Sequence, residues 1–255
     1  MPELNRVFTD RRRAESFGSV AENYDRYRPQ YPQPLISRLV TRPGLRVLDV
    51  GAGTGILSAQ LAAAGAEVLA VEPDEQMAAV GSAKGIPFER SIFEDWQASE
   101  RTFDLITFGQ SFHWVDPEVA LPKLATLLNP GGRLVLMWNR IRPAEPLRQE
   151  MERISADYSA TTPAANSASN AETALQTLLQ TSDFAVERIE ASENLHYETD
   201  DWLNLVFTHS NHIILEPETQ AALRKRLKTL LGDGGVSATN NALALSCAPT
   251  SERRG

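Results

Sequence analysis

The chain has a single cysteine, Cys247. One thiol has no partner for an internal disulfide and no companion for a thiolate metal site, so nothing in cysteine usage calls for an oxidising compartment. Basic clusters are scarce. Arg11-Arg12-Arg13 and Arg224-Lys225-Arg226 are the only runs worth naming, and both read as solvated helix faces. The formal net charge of -8 opposes the phosphate contacts on which nucleic-acid binding rests, so no nucleic-acid partner is expected. No apolar run approaches the roughly 18 residues of a membrane span. The first residues carry charges at Glu3, Arg6, Asp10 and Arg11 without an apolar stretch, unlike a secretory leader. The expectation is a cytoplasmic chain with no membrane partner. Its oligomeric state is not legible.

What is present suits a folded α/β protein. Hydrophobic residues make up 42% and charged residues 23% of 255, enough for a sizeable core in one large domain over residues 1–255. The informative stretch runs from Arg46 to Leu57. Val47, Leu48 and Val50 are apolar, as a strand covered on both faces requires. Gly51, Gly53 and Gly55 follow, letting the backbone bend and approach a ligand without Cβ interference. Helix formers run on from Ile56, Gly65 supplies a stop, and a second strand over residues 66–71 ends on Glu72. Strand, glycine turn, helix, and strand with a carboxylate at its tip form a nucleotide-type binding half.

The spacing narrows the ligand. A dinucleotide fingerprint is G-x-G-x-x-G, with the helix N-terminus facing a pyrophosphate. Here Ile56 takes the sixth position, and Asp49 precedes the turn. A carboxylate there repels a pyrophosphate and suits an ammonium or hydroxyls. The stretch resembles motif I of the class I S-adenosylmethionine-dependent methyltransferases. That resemblance implies S-adenosyl-L-methionine as cofactor, Glu72 on both ribose hydroxyls, and Asp49, Gly51, Ala52 and Gly53 beside the methionine part. It also implies a doubly wound, mainly parallel seven-stranded sheet of order 3-2-1-4-5-7-6, strand 7 antiparallel, with helices on both faces.

Other segments carry the same resemblance, over about residues 15–140. Phe17, Val20, Tyr24 and Tyr27 share one face of a helix that Pro29 and Pro32 end. Ala21-Glu22-Asn23-Tyr24-Asp25 and Arg28-Pro29-Gln30-Tyr31-Pro32 resemble a leader lying over the cofactor pocket, so residues 1–32 are expected to cover cofactor and substrate. Tyr24 offers a hydroxyl and Arg28 a fork for a carboxylate. Pro73-Asp74 starts a helix with Asp74 as N-cap, and Met77 on it either faces the adenine or packs in the core. Glu94 and Asp95 resemble the family's acidic pair near the adenine amine, with Phe93 placed to stack. Ile92 departs from the Asp common at its position.

Residues 103–108 read as the fourth strand, followed by Gly109-Gln110-Ser111-Phe112-His113-Trp114. Ligands gather beyond the carboxyl ends of strands at the switch point, which this run would flank. It resembles a small-molecule subgroup, similar to methyltransferase type 11, with a Gln-x-x-His-Trp signature. The resemblance implies Gln110 on cofactor or acceptor, His113 orienting or deprotonating the acceptor, and Trp114 excluding water. His113 as base and Arg28 as acceptor clamp are rival uses. His113 bonded to backbone at a helix start is the structural alternative.

A helix over residues 117–128, an Asn-Pro-Gly-Gly turn and a fifth strand over residues 133–138 complete the match. Beyond it, residues 139–183 read as an insert or lid, with a small polar loop over 159–170 and a short helix over 173–181. A sixth strand begins at Phe184, and helices cover 200–209 and 218–231 before a final strand over 242–248. His209 and His212 lack a third ligand, so no metal site is expected. The function implied is methyl transfer to a small-molecule acceptor by in-line displacement. An NAD(P)-dependent oxidoreductase and a non-catalytic S-adenosylmethionine-binding protein are the alternatives.

Overall fold

A computed structural model describes residues 16–158 and 184–250. The loop expected over 159–170, the helix over 173–181 and the arginine run at 11–13 lie outside the described residues. Strands β1 (Arg46–Val50), β2 (Glu67–Val71), β3 (Phe88–Glu89), β4 (Phe103–Gly109) and β5 (Leu128–Trp138) pair in parallel in the order β3-β2-β1-β4-β5. Strands β6 (Ile141–Pro143), β7 (Phe184–Tyr197) and β8 (Val236–Pro249) complete the sheet, all joined through antiparallel β8.

The sheet therefore has eight strands where the sequence suggests seven. The expected sixth and seventh strands are β7 and β8, in the expected places, and the extra strand is the short β6. The reason lies in β8. It is 14 residues long, and residues Leu243–Cys247 already occupy the edge of β5. Its earlier half, Ala238–Asn240, would present open backbone, and β6 pairs with that stretch. The Asn129-Pro130-Gly131-Gly132 turn is a bulge within β5, where the pairing with β4 shifts register between Phe103 and Leu105.

Alternation along the central strands assigns each side chain a face. Leu48, Val50, Ile106 and Phe108 join one core with Phe112, Leu121 and Leu124. Val47, Leu105, Val135 and Met137 join a second with Leu35, Ile36 and Leu61. Helices α2 (Gln33–Leu39) and α3 (Ile56–Ala63) cover the second face, and α5 (Pro117–Leu127) covers the first. The two expected N-caps form. Asp74 accepts from Gln76 N and Met77 N, both at 2.9 Å, at the start of α4 (Glu75–Ser82). Asp116 accepts from Glu118 N at 2.9 Å ahead of Pro117.

A third cluster joins the early end of β8, Val236 and Ala238, to a group of helices. Met151 and Ile154 of α6 (Leu147–Ala156) meet Trp202, Leu203 and Val206 of α7 (Thr199–Val206) and, past the one-turn α8 (Ser210–Ile213), Leu223 and Leu227 of α9 (Pro217–Leu231). The described part of the expected insert is thus one wall of a helical cap built mainly from later residues. The leader breaks into a 3-10 turn, Phe17–Val20, and helix α1 (Ala21–Tyr27), and Tyr27 packs against this cap. Among the described residues no helix is long and apolar enough to cross a membrane.

Candidate active site

The site lies beyond the carboxyl ends of β1, β2 and β4, where the strand order reverses. Asp49 and Thr107 are register partners on β1 and β4 and share a face. Thr107 Oγ1 donates to Asp49 Oδ1 at 2.8 Å, and Ser58 Oγ of α3 donates to Oδ2 at 2.6 Å. Asp49 is 1% exposed, and burial pushes its pKa up to about 6 against those two hydrogen bonds. The carboxylate ties β1 to β4 and to α3, and Asp49 lines the crevice above.

The turn itself is built by close approach. Gly51 has φ +61, and a Cβ there would stand 2.5 Å from Cβ of Ser111. Ser111 Oγ donates to Val50 O at 2.5 Å, pinning the loop after β4 onto the end of β1. At the tip of β2, Glu72 accepts from Gly53 N at 2.8 Å through Oε2 and from Asp74 N at 3.0 Å through Oε1. It is buried, and desolvation pushes its pKa up to about 7. The Asp49 turn and Glu72 thus lie side by side, 19 positions separating Gly53 from its carboxylate partner.

Gln110 takes an αL backbone, φ 59, which a non-glycine residue adopts only when its surroundings impose it. Its N–H donates to Met137 O at 2.8 Å, and it lines the crevice beside Tyr31. Tyr31 is buried, and burial raises its pKa well above the usual phenol value. Tyr24, Arg28, Asp49, Gly51, Ala52 and Gln110, all expected from sequence, share one crevice with Tyr31. Its cavity volume is about 30 Å³.

Other expected residues fall elsewhere. Met77 is buried, but its Cε stands 3.3 Å from where a Gly53 Cβ would be, so it backs the turn. Pro73 is exposed between Glu72 and the Asp74 cap. Phe93 is 3% exposed, stacked on Trp96 at 6.4 Å and edge-on to Phe108 at 5.8 Å, so in this conformation its ring is core. Lys123 Nζ closes over that ring at 4.9 Å and donates to Phe93 O at 2.6 Å. Glu94 accepts from Asp116 N at 2.9 Å, tying its loop to the start of α5.

His113 sits in a 3-10 turn, Phe112–Trp114, exposed and against the Trp114 ring at 4.7 Å. Crowding by protein depresses its pKa to about 4, and the open ring face limits that depression. On both counts it is neutral at pH 7. Trp114 meets Phe17 edge-on at 6.1 Å, and Phe17 meets Tyr24 at 6.0 Å, so the leader lies over the site. An Asp25–Lys84 ion pair also ties α1 to the end of α4.

Sequence reasoning missed Tyr31, although it stands in the quoted Arg-Pro-Gln-Tyr-Pro run. It also missed Ser58 and Thr107. Thr107 was discoverable as the one hydroxyl in Leu105-Ile106-Thr107-Phe108, an otherwise apolar stretch whose interior polar group needs a partner. Thr208, which receives Arg28, carried no signal.

A doubly wound α/β sheet with a glycine turn, an acid before it and an acid on the next strand defines a nucleoside-binding protein of the Rossmann-like class. The family described as a methyltransferase domain matches residues 24–189. The chain belongs to that family, the class I S-adenosylmethionine-dependent methyltransferases. It is similar to an uncharacterized methyltransferase of Mycobacterium tuberculosis strain H37Rv, 39% identical over 136 residues, 49% of this chain and 52% of that protein. An uncharacterized methyltransferase of Schizosaccharomyces pombe is 30% identical over 141 residues, with the same 49% and 52% covered. The chain spans about half the length of the curated relatives it matches. Among solved structures, a SAM-dependent methyltransferase from Geobacter sulfurreducens in complex with S-adenosyl-L-homocysteine has TM-score 0.54 at 17% identity, covering 91% of this chain and 97% of that one. The YcgJ protein from Bacillus subtilis has TM-score 0.55 at 18% identity, covering 86% and 98%. These likenesses concern the fold.

Proposed function

We propose that the chain binds S-adenosyl-L-methionine and transfers its methyl group to a small-molecule acceptor by in-line displacement. One observation carries the reading: two buried carboxylates, Asp49 and Glu72, flank the glycine turn where a dinucleotide protein would receive phosphate. The Asp49 charge opposes a pyrophosphate at the turn and suits an ammonium or sulfonium, and Glu72 suits a ribose diol. Bound there, the cofactor supplies a methyl group already activated on a positively charged sulfur.

The chain's own residues then align and shield. Glu72 offers carboxylate oxygens to a diol, held in place by the Gly53 and Asp74 amides. Gly51 and Ala52 admit the ligand close to backbone. Glu94 and Phe93 serve the adenine side through the loop they anchor, Met77 and Pro73 through the turn they support. On the acceptor side, neutral His113 takes a proton from an acceptor hydroxyl or carbon acid. Phe17 and Trp114 keep water from the centre. A net charge of -8 and a narrow, covered crevice support a small acceptor over a nucleic acid.

The test is direct. Purified protein with radiolabelled S-adenosyl-L-methionine and a panel of small carboxylic, phenolic and amine acceptors should yield S-adenosylhomocysteine with at least one of them. Failure to bind either cofactor form in calorimetry, with binding of NAD(H) or NADP(H) instead, would replace the proposal by an oxidoreductase. Cofactor binding without turnover of any acceptor would leave a binding protein.

A further inference from the structure

Residues 28–31 of the leader lie between α1 and α2 and belong to no helix or strand. Arg28, Pro29 and Tyr31 nevertheless line the crevice. Side chains from three remote elements hold the segment. Thr208, beyond the end of α7, accepts from Arg28 Nε at 2.8 Å. Asn139, which follows β5, donates through Nδ2 to Pro29 O and Gln30 O, both at 3.2 Å. Asn139 is steadied in turn by buried Asn240 of β8, whose Nδ2 donates to Asn139 Oδ1 at 3.0 Å. Gln60 of α3 makes the closest fit. Tyr31 N donates to Gln60 Oε1 and Gln60 Nε2 donates to Tyr31 O, each at 2.8 Å.

The Gln60 amide thus exchanges two hydrogen bonds with one residue, as a neighbouring strand would. A carboxamide has a donor and an acceptor side by side, so it satisfies both backbone groups at once. An ionised carboxylate serves only the N–H, and an aliphatic side chain serves neither. The place of Gln60 matters as much as its chemistry, because α3 leaves the glycine turn directly. On that one helix Ile56 and Leu57 line the crevice, Ser58 holds Asp49, and Gln60 holds Tyr31. Tyr31 is 5% exposed, and its hydroxyl stands 3.0 Å from where a Gly109 Cβ would be. The hydroxyl is therefore seated against the end of β4. We propose that Gln60 is a positioning residue, setting Tyr31, and the leader with it, against the glycine-turn helix so that cover and cofactor half close as one unit. This rests on the cofactor reading above and adds what keeps the cover in register with that half.

Calorimetric titration of S-adenosylhomocysteine into Gln60→Glu, at pH 8 and at pH 4.5, tests it. The introduced carboxylate, ionised at pH 8, still accepts from Tyr31 N but turns a lone pair on Tyr31 O. Once protonated, it donates to Tyr31 O and restores the pair. Each affinity is taken as a ratio to wild type at the same pH, which removes the titration of Asp49 and Glu72. The variant should bind about tenfold more weakly than wild type at pH 8 and about threefold more weakly or less at pH 4.5. Gln60→Met, which loses both bonds, should be about tenfold weaker at both pH values. If it does not fold, the pH dependence of Gln60→Glu decides alone. A Gln60→Glu ratio that is the same at the two pH values overturns the proposal. So do lowered melting temperatures with unchanged affinities, which would make Gln60 a structural residue only. No binding of S-adenosylhomocysteine by the wild type overturns the cofactor reading itself and this proposal with it.

Discussion

The two sides of the crevice are held together differently. On the turn side the contacts stay among β1, β2, β4 and the segments that leave them: Ser58 meets Asp49 across 9 positions, Gly53 N meets Glu72 across 19 and Thr107 meets Asp49 across 58. On the cap side the contacts are side chains from remote elements: Arg28 meets Thr208 across 180 positions. The first side is one βαβ unit and needs only the register of β1, β2 and β4. The second needs the leader, α7 and α9 to assemble on their own apolar cluster. A binding half written locally can stay the same while a cap built from distant segments is exchanged, which fits a class whose acceptors differ more than its cofactor does.

Breaking the turn side should have the largest effect. Gly51→Val puts a branched side chain at φ +61 against Ser111. We expect a loss of about 3 kcal/mol in stability and a fall in thermal midpoint of about 6–12 °C, with cofactor affinity down about 100-fold. Differential scanning fluorimetry with and without S-adenosylhomocysteine reads both. An unaffected midpoint would mean that the turn is not as tightly built as described.

Next, His113→Ala should lower kcat by about 100-fold for an acceptor that must lose a proton, with cofactor Kd unchanged. Full turnover would remove the base role and leave alignment alone on that side.

Glu72→Gln sharpens the comparison through pH. The Glu72 and Asp49 carboxyls have folded pKa values raised from 4.5 to about 7 and from 3.8 to about 6. The native state therefore retains protons that the unfolded chain releases, and stability falls as pH rises from about 4 to 7. Glu72→Gln should remove part of that slope and raise stability at pH 8 by about 2 kcal/mol while weakening the cofactor. Urea melts across pH 4–8 measure it. A wild type whose stability is flat or rising over that range would contradict the burial of both carboxyls.

The smallest effect belongs to the cap. Thr208→Val removes one acceptor of Arg28 and should cost about 1 kcal/mol. Urea denaturation reads the loss, and unchanged stability would mean that the Arg28–Thr208 contact does not fasten the cap.

The same contrast explains what could be read in the chain. The central strands, the glycine turn, Glu72 and both Asp caps follow from spacing and residue type within a few positions. So did most of the crevice, because Asp49, Gly51, Ala52 and Gln110 sit at strand ends. Ser58 and Thr107 were legible in principle, as hydroxyls in apolar runs. Thr208 was not, since nothing near it in sequence mentions Arg28. Phe93 shows the limit from the other direction. Its position suits a ring on adenine, but Trp96 and Phe108 enclose it, and packing of that kind is decided by residues on other elements. Strand β6 escaped notice because three residues, Ile141–Pro143, carry no periodicity and pair only because β8 outruns β5.

The central claim is that the loop after β1 and the carboxylate ending β2 hold an adenosyl ligand. Titrating S-adenosylhomocysteine into wild-type and Glu72→Gln protein, with NAD and NADP as controls, tests it most directly. The account predicts saturable binding of one S-adenosylhomocysteine per chain, weakened about tenfold or more in the variant, and no heat from either dinucleotide. Binding of a dinucleotide in place of S-adenosylhomocysteine, or equal affinity in the two proteins, would contradict it.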